Sequence, residues 1–369
     1  MSKFKVAIIG STGQGDYGHG LDAVWKSLEQ CEVVAVADQD EAGRKKAIPR
    51  TGAARGYADY REMLEKEKPQ IVAICPRWID QHRDMVLACA EHGCHMYMEK
   101  PFCRTLGEAD EMIRACEMRH LKLAVAHISR YSPQLDVIRK LIQAGEIGDV
   151  LEIRARGKED ARGGAEDLWV LGTHVLDLMR AFAGEPESCY ATLHQQGRRV
   201  TREHVRPGNE GVGPLAGDRV DAMYRFKNGV VGYFSSQKAA GGSPNRFGIR
   251  ILGSKGMIDH TSGYANPAFL LNDATWGSSA SVSGANWRTI SSAGVDQPEP
   301  IKVTGYDGGN PAAALDLIEA IEQDRQPKCS MREARGAIEM VLAVFESHHV
   351  DGPVRMPLLI SENPLASLS

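Results

Sequence analysis

The sequence predicts an α/β protein of two domains: an N-terminal doubly wound parallel sheet and a C-terminal α+β domain with a large, mostly antiparallel sheet. Three observations lead to this fold class. Apolar strand segments alternate with helical segments over the first third of the chain, and a hairpin signal stands in the second half. The 369 residues, 43% of them hydrophobic, also suffice for two cores. We expect the domains to cover residues 1–130 and 131–369.

The N-terminal strands are predicted from short runs of Val, Ile and Ala, which suit strands buried on both faces of a parallel sheet. Segments with apolar residues at helical spacing separate these runs. The predicted strands are Phe4–Ile9, Val33–Ala37, Ile71–Cys75, His95–Met98 and Leu123–His127. The predicted helices between them are Leu21–Leu28, Tyr60–Lys66, His82–His92 and Leu106–His120.

The pattern changes after about Tyr131, where the second domain is expected to begin. Asn228-Gly229 separates two alternating segments, and both residues tolerate the positive φ of a tight hairpin turn, so antiparallel strands are predicted here. The stretch Thr261–Asp296 is rich in Gly, Ser, Ala and Asn, which predicts a long loop. The remaining predicted elements are the strands Val150–Arg156, Val220–Phe226 and Val230–Ser235, and the helices Gln134–Ala144, Ala312–Gln323 and Met331–His348.

A glycine-rich loop follows the first strand and is the first candidate binding site. Glycines let the backbone approach a pyrophosphate, and we expect the N-terminus of the next helix to supply N–H donors and a positive dipole. Asp38 ends the second strand, where a carboxylate accepts hydrogen bonds from the adenosine ribose and repels a 2'-phosphate. The order of strand, glycine loop, helix, strand and acid predicts a Rossmann domain that binds NAD. The loop residues assigned to the cofactor are Gly10, Ser11, Thr12, Gly13 and Gly15.

This glycine loop departs from the usual spacing because Thr12 stands where a glycine is common. An ordinary glycine-rich turn and an ordinary turn aspartate at Asp38 are the alternatives. The strand before the loop and the acid after the next strand favour the cofactor site.

Composition excludes several other classes of function. The net charge of −4 and the pI of about 6.3 leave no basic field for nucleic acid. The longest apolar runs are far shorter than a membrane span, and the start resembles a strand, not a signal peptide, so we expect a cytoplasmic enzyme. The eight cysteines form no CxxC pair, which predicts reduced, mostly buried thiols and no metal site.

The sharpest motif is Glu99-Lys100-Pro101, directly after a predicted strand and so at the carboxyl edge where open α/β sheets bind ligands. With this motif at this place, the sequence resembles the Gfo/Idh/MocA family, named for glucose-fructose oxidoreductase and inositol dehydrogenase. Further short motifs follow in the family's order, so the resemblance covers nearly the whole chain. They include Arg130–Pro133, Gly145–Val150, Gly172–Leu178, Asn228-Gly229 and Leu252–Gly256.

The resemblance implies that Lys100 and His174 lie beside the nicotinamide and the substrate hydroxyl, with Glu99 at the cofactor. Oxidation of an alcohol needs a base for the hydroxyl proton while hydride leaves carbon, and a desolvated lysine or a histidine suits this task. The alternatives are a solvated surface lysine and a histidine satisfied in the core. Their positions in the motifs favour the active site.

One residue departs from the family pattern. The family commonly has Asp four residues before the histidine, where this chain has Val170. Asp167 lies two turns before His174 if the segment is a regular helix, and it would then replace the missing proton relay. A helix-start cap is the equally favoured alternative for Asp167. Asp177 is expected to be structural.

The resemblance also places a segment after the third strand near the nicotinamide ribose and the substrate. We assign Pro76, Arg77 and His82 to the cofactor there. Aromatic rings and guanidinium groups suit sugars, because an indole stacks on a sugar face and a guanidinium binds hydroxyls, so the candidates for substrate binding are Trp78, Arg162 and Trp169. Packing or surface roles are the alternatives for each of these residues.

The resemblance implies NAD-dependent hydride transfer to or from a secondary hydroxyl of a sugar, glycoside or cyclitol. The glycine loop and the segment at Arg77 resemble those of family members that oxidise the 3-hydroxyl of glycosides. The alternatives are an NAD-retaining glycoside hydrolase, acting by oxidation, elimination, addition and reduction, and an NAD-binding sensor without chemistry. The family also implies a homo-oligomer. The tail Leu358–Ser369 is expected either to fray or to join such an interface.

Overall fold

The chain divides into two compact units in a computed structural model that describes residues 3–242, 246–277 and 286–368. The first unit comprises the residues up to His127 together with Asn209–Gly213 and Asn310–Arg335. The second comprises Ile128–Gly208, Pro214–Gly309 and the residues from Gly336 onward. Where the sequence suggested two successive domains, the chain instead returns to the first unit twice.

The first unit contains a parallel sheet of six strands within the described residues, in the order β3-β2-β1-β4-β5-β6. This is the strand order of a Rossmann fold, which confirms the predicted fold class. The central strand is buried on both faces: Val6, Ala7 and Ile8 are fully buried. The strands are β1 Phe4–Ile9, β2 Cys31–Ala37, β3 Arg55–Tyr57, β4 Ile71–Ile74, β5 His95–Met98 and β6 Leu123–Val125.

The helices of this unit agree with the predictions at three places, Tyr60–Glu67 (α2), His82–Glu91 (α3) and Leu106–Glu117 (α4). The sequence missed α1, Glu41–Thr51, whose buried residues are only Ala47 and Thr51. A helix so exposed shows little apolar periodicity, although its cap was readable: the Asp40 side chain accepts a 2.6 Å hydrogen bond from Gly43 N.

The predicted helix Leu21–Leu28 is wrong. Turns occupy its first residues, and only a short 3-10 helix, Val24–Ser27, follows. Gly20, directly before this segment, has φ +85°, a conformation incompatible with a helix. Leu21 and Trp25 are fully buried, so the apolar spacing marks packed turn residues.

The second unit is built on a large sheet, of which the described residues form eleven strands. Its order is β18-β17-β16-β15-β14-β7-β13-β12-β8-β19, with β9 paired to β8. The pair β13–β7 is parallel and the other pairs are antiparallel, as the sequence predicted for most of the sheet. The strands are β7 Val150–Arg156, β8 Pro186–Gln195, β9 Arg198–Arg199, β12 Arg219–Phe226, β13 Val231–Gln237, β14 Gly248–Gly253, β15 Met257–Thr261, β16 Ala268–Leu271, β17 Arg288–Ser291, β18 Gly294–Val295 and β19 Val354–Arg355. A separate small pair joins β10 Arg206–Pro207 to β11 Pro214–Leu215.

The hairpin at Asn228-Gly229 is confirmed: β12 pairs with β13, and Gly229 has φ +84°. The predicted long loop Thr261–Asp296 is wrong in part, because β16, β17 and β18 lie within it. These strands have only two to four residues each, too few for an alternating pattern to stand out among Gly and Ser. Residues 278–285 of the predicted loop lie outside the described residues.

The helices of the second half are Gln134–Gln143 (α5), Ala165–Asp167 (α6), Thr173–Ala183 (α7), Gly305–Glu322 (α8) and Met331–His349 (α9). The sequence predicted α8 to begin only after Pro311, a residue usually found at helix starts. The tail is packed through Leu368: Leu365 is 1% exposed, and Asn363 Nδ2 donates a 3.0 Å hydrogen bond to the Pro214 carbonyl. The expectation of a frayed end is therefore wrong for these residues. Among the described helices, none is both long and apolar enough to cross a bilayer.

Candidate active site

Three loops meet at the carboxyl edge of the first unit's sheet. They follow β1, β4 and β5, and β1 lies between β2 and β4 in the strand order. Strand order reverses there, which makes this edge the switch point at which open α/β sheets bind ligands.

The glycine loop forms a tight turn at this edge. Ser11 and Asp16 exchange backbone hydrogen bonds of 3.0 and 2.9 Å, and Gly13 N donates a 2.9 Å bond to Asp16 Oδ1. Gly15 has φ +90°, and a Cβ added there would lie 2.3 Å from Arg77 N. Glycine is therefore required at position 15, where this loop rests on the loop after β4.

Asp38 lies beside the glycine loop and is 3% exposed. Its carboxylate accepts a 2.7 Å hydrogen bond from Thr12 Oγ1 and bonds of about 3.2 Å from Thr12 N. The threonine that weakens the glycine motif thus holds the acid in place. A depression at the strand ends is lined by Gly10, Ser11, Ala37, Asp38, Gln39, Ala58 and Tyr60, among others. A carboxylate at the wall of such a depression fits the ribose hydroxyls of NAD.

The sequence predicted that a helix N-terminus behind the glycine loop would bind the phosphates. No α-helix follows this loop before β2. The dipole of a helix N-terminus, expected behind Gly15, is absent from this described segment. The turn itself, Ser11 to Gly13, is then the candidate for holding a pyrophosphate. Gly13 has φ +83° and nothing within 4 Å of an added Cβ, so this corner is open to a ligand.

His82 is fully buried behind the loops at this edge. Its Nε2 lies 2.7 Å from the Pro76 carbonyl and its Nδ1 3.0 Å from the Pro101 carbonyl. Burial lowers the pKa of His82 in spite of the contacts with these two carbonyls, to one of which a neutral imidazole donates a hydrogen bond. The sequence assigned His82 to the cofactor, but the structure uses it to join the two loops that carry Arg77 and Lys100. Arg77 and Trp78 themselves are half-buried at the surface.

Glu99 and Lys100 follow β5 and are 1% and 4% exposed. One Glu99 carboxylate oxygen contacts His19 Nδ1, and the other accepts a 2.9 Å hydrogen bond from Lys100 N. Burial alone would raise the pKa of Glu99, but the hydrogen bond and charge of His19, with the Lys100 charge, outweigh it and lower the pKa. Glu99 is thus a buried carboxylate. His19 was not among the predicted site residues, although a histidine between two glycines of the loop was a readable signal.

His174 lies in α7 of the second unit and is 4% exposed. Its ring meets Phe247 edge to face with 6.3 Å between ring centroids. The five residues Leu168–Gly172 before α7 form a π-helical turn. Such wide turns are frequent at functional sites. Because this turn takes more residues than an α-helical one, Asp167 and His174 do not repeat on one face as a regular helix would place them.

Asp167 is fully buried and its carboxylate is a hydrogen-bond acceptor for three donors. They are Lys158 N at 3.2 Å, Glu159 N at 3.0 Å and Ser236 Oγ at 2.5 Å. Burial raises the pKa of Asp167, while these hydrogen bonds act in the opposite direction. It does not form the predicted cap at a helix start, and its contacts instead anchor the loop that precedes α6.

The two substrate candidates of the second unit have different environments. Trp169 is fully buried, with 6.3 Å between its ring centroid and that of Phe345. No face of the indole is exposed for stacking on a sugar, so the structure corrects this assignment to a core residue. Arg162 is half-buried and bonds Asp160 at 2.6 Å beside a small polar pocket that Glu166, Arg206 and Lys238 also line.

Asp177 has the structural role that was expected of it. It is fully buried and forms a bidentate ion pair with Arg130, with bonds of 2.8 and 2.6 Å. A buried pair of this geometry satisfies both charged groups.

These features define a class of protein: a dinucleotide-binding α/β unit with a buried acid and lysine at its switch point, and, in the same chain, a second unit built on a large sheet. Comparison with known proteins agrees. The family description "Oxidoreductase family, NAD-binding Rossmann fold" matches residues 4–127, and "GFO/IDH/MocA C-terminal domain" matches residues 136–259. The chain belongs to the Gfo/Idh/MocA oxidoreductase family, and its first unit is an NAD-binding Rossmann domain.

Curated relatives are distant and share part of the chain. A levoglucosan dehydrogenase of Pseudarthrobacter phenanthrenivorans is 29% identical over 62% of this chain and 64% of its own length. A D-apiose dehydrogenase of Paraburkholderia graminis is 27% identical over 56% of each chain. A myo-inositol 2-dehydrogenase of Thermotoga maritima is 24% identical over 68% of this chain and 74% of its own. The chain thus spans less than two thirds of the first two relatives.

Solved structures share the fold over nearly the whole chain. A levoglucosan dehydrogenase in complex with NADH and L-sorbose has a TM-score of 0.77 at 23% identity, over 97% of this chain and 100% of that one. A UDP-N-acetylglucosamine 3-dehydrogenase from Acidithiobacillus ferrooxidans has a TM-score of 0.68 at 20% identity, over 94% and 98%. At these identities the likeness concerns the fold.

Proposed function

We propose that this protein transfers a hydride between NAD and a secondary hydroxyl of a sugar, glycoside or cyclitol. The observation that carries the proposal is the burial of Lys100 and Glu99 together at the switch point of an NAD-binding domain. A buried lysine beside a buried carboxylate costs solvation energy, an arrangement usual in functional sites. The relatives named as sugar and inositol dehydrogenases support this substrate class.

The residues divide the work in the proposed reaction. Asp38 and the turn Ser11 to Gly13 hold the adenosine ribose and the phosphates, and NAD when bound accepts the hydride. Lys100 orients the substrate hydroxyl, and its uncharged amine takes up the hydroxyl proton as hydride leaves the carbon for NAD. His174 is the second proposed base, and Trp78 and Arg162 remain the proposed sugar contacts. Asp167 is assigned here to positioning, because its acceptor sites are filled by Ser236 and two backbone N–H groups.

Within this class we further propose the 3-hydroxyl of a glycoside as the reacting group. One solved structure of the same fold is a 3-dehydrogenase of a nucleotide sugar, and the first relative named above acts on levoglucosan, an anhydrosugar. Oxidation at C3 acidifies the proton on the neighbouring carbon, which prepares a glycosidic bond for elimination.

The test is to incubate the protein and NAD with glucosides, free sugars and inositols, following NADH absorbance and product mass. We expect one substrate class to lose two hydrogens while NADH accumulates. Lys100→Ala should remove most of this turnover while leaving NAD affinity within a few fold. Unchanged turnover in that variant would refute the role of Lys100, and no oxidation of any substrate class would refute the proposed function.

A second candidate is a glycoside hydrolase that retains its NAD and reduces the oxidised sugar again in the same site. The observation in its favour is a relative, from Mediterraneibacter gnavus, named 2,7-anhydro-N-acetylneuraminate hydratase, because addition of water involves no net oxidation. Release of free aglycone without NADH accumulation would select this alternative.

Two further proposals concern setting and assembly. We propose a reducing, cytoplasmic setting, supported by eight buried free cysteines. We also propose a homo-oligomer.

A further inference from the structure

His19 is held at both ends within the first unit. Its carbonyl accepts a 2.9 Å hydrogen bond from Asn310 Nδ2, and Asn310 Oδ1 accepts a 2.8 Å bond from the Tyr97 hydroxyl. Its imidazole Nδ1 contacts the Glu99 carboxylate. Asn310, almost 300 positions along the chain, is 2% exposed, so a buried amide fixes the backbone that presents the imidazole.

The loop backbone is built for this approach. Gly18 has φ +65°, and a Cβ added there would lie 2.5 Å from the Cys75 carbonyl and 3.1 Å from Glu99 Cγ. Gly20 has φ +85°. A side chain at position 18 would push the loop away from Glu99, so the glycines allow His19 to reach a carboxylate that is 1% exposed.

His19 is the first of the interactions that favour the charged form of Glu99. Burial favours its neutral form, and the opposing interactions come from His19 first and Lys100 second. Two other titratable groups face Glu99, His82 and Cys75, and both are fully buried. Burial lowers the pKa of His82 and raises that of Cys75, so both are uncharged near neutral pH and neither replaces His19.

We infer that His19 is a positioning residue for Lys100: its imidazole holds one oxygen of the Glu99 carboxylate, and the other oxygen fixes the Lys100 backbone. This inference rests on the proposed function, in which Lys100 acts on the substrate hydroxyl. Without the imidazole, burial favours the neutral form of Glu99, and its carboxyl group holds the Lys100 N–H less firmly. Lys100 then leaves its reactive position.

The first test compares two substitutions in the full-length protein. An Asn side chain places an N–H near the position of Nδ1, whereas Gln extends its amide toward the position of Nε2. We expect His19→Gln to lower kcat by about 10- to 100-fold, the scale of a misplaced catalytic group, with little change in NAD affinity. His19→Asn should recover most of this loss. His120→Gln, at an exposed histidine of the same unit, is the matched control.

A second measurement needs no substrate. The free energy of unfolding is measured against pH for the wild type, His19→Gln and His19→Asn, each with and without Glu99→Gln. The pKa of Glu99 is lower in the folded protein than in the unfolded chain, so ionised Glu99 stabilises the wild type at pH values above its pKa in the unfolded chain. This stabilisation is lost as the pH falls through the pKa of Glu99 in the folded protein. In His19→Gln, burial makes the Glu99 charge a penalty, so its stability relative to the wild type falls as pH rises from about 4.5, the ordinary value.

Glu99→Gln should abolish that pH-dependent difference. The inference is overturned if His19→Gln differs from the wild type by a constant amount at all pH values, or if Gln and Asn lower kcat equally. If no sugar is oxidised by the wild type, the proposed function fails, while the unfolding data still decide whether His19 controls Glu99.

Discussion

At the scale of single residues, three buried carboxylates of the candidate site each have a partner of their own. Asp38 is bound by Thr12, Glu99 by His19, and Asp177 by Arg130. The sequence predicted the acid of each pair from its place after a strand or within a motif. It could not predict the partners Thr12 and His19, because these contacts depend on the path of a glycine loop with several residues at positive φ.

Asp38 allows a test of cofactor choice. Asp38→Ala should weaken NAD binding and relax discrimination against NADP, because it removes the carboxylate that we propose binds the ribose and repels a 2'-phosphate. Glu65→Ala is the control, since it removes an exposed carboxylate of α2 outside the glycine loop. The affinities for NADH and NADPH are measured by fluorescence titration. Equal NADH affinity in Asp38→Ala and the wild type would rule out this role.

His260 permits a prediction about acid stability. It is fully buried in β15, and neither ring nitrogen has a hydrogen-bond partner among the described residues. Burial lowers the pKa of His260 from 6.5 to about 4. Between pH 6.5 and about 4, the unfolded chain therefore binds a proton at His260 that the native protein does not bind. The free energy of unfolding falls as the pH drops through this range.

Replacing His260 with Leu should remove this loss. The variant should gain up to about 3 kcal/mol relative to the wild type between pH 7 and pH 4, since one pKa unit corresponds to about 1.4 kcal/mol. Urea unfolding at several pH values measures the difference, and other histidines contribute equally to both proteins. A difference that stays constant with pH would show that His260 does not titrate in this way.

At the scale of elements, the buried strands could be predicted and the exposed or irregular elements could not. The strands β1, β4 and β5 are short, mostly apolar runs. Such runs predict strands that are buried on both faces of a parallel sheet. The helix α1 is mostly exposed and β16–β18 are very short, so neither leaves a periodic signal. The helix predicted at Leu21–Leu28 does not form, and the π-helical turn at Leu168–Gly172 was not predicted. In both segments tertiary packing sets the backbone geometry.

The glycine loop provides the element-scale test. Gly13 and Gly15 have φ +83° and +90°, so Ala is strained at both. An added Cβ at Gly13 meets nothing within 4 Å, whereas at Gly15 it would lie 2.3 Å from Arg77 N. Gly15→Ala should therefore weaken NADH binding about tenfold more than Gly13→Ala, because it also separates two loops of the site. Equal NADH affinities in titrations of the two variants would contradict the loop contact.

At the scale of the whole molecule, the second unit's sheet leaves one face exposed, and this face is where we propose that copies of the chain associate. Tyr190, Met223 and Tyr233 stand opposite one another on β8, β12 and β13. Tyr190 and Tyr233 are 44% and 37% exposed, and Arg154 follows in the same row on β7. Tyr and Arg are enriched at the centres of protein interfaces.

A charge placed in this row should weaken the assembly. We expect the wild type to sediment as a dimer or larger species at micromolar concentration, and Tyr233→Glu to shift it toward monomer, because a buried carboxylate without a partner is costly. Leu315→Glu is the control, since Leu315 is 41% exposed in α8 of the first unit. A wild type that stays monomeric would refute association. Equal sedimentation of the wild type and both variants would place the interface away from this face, since only a charge inside the contact carries the desolvation cost.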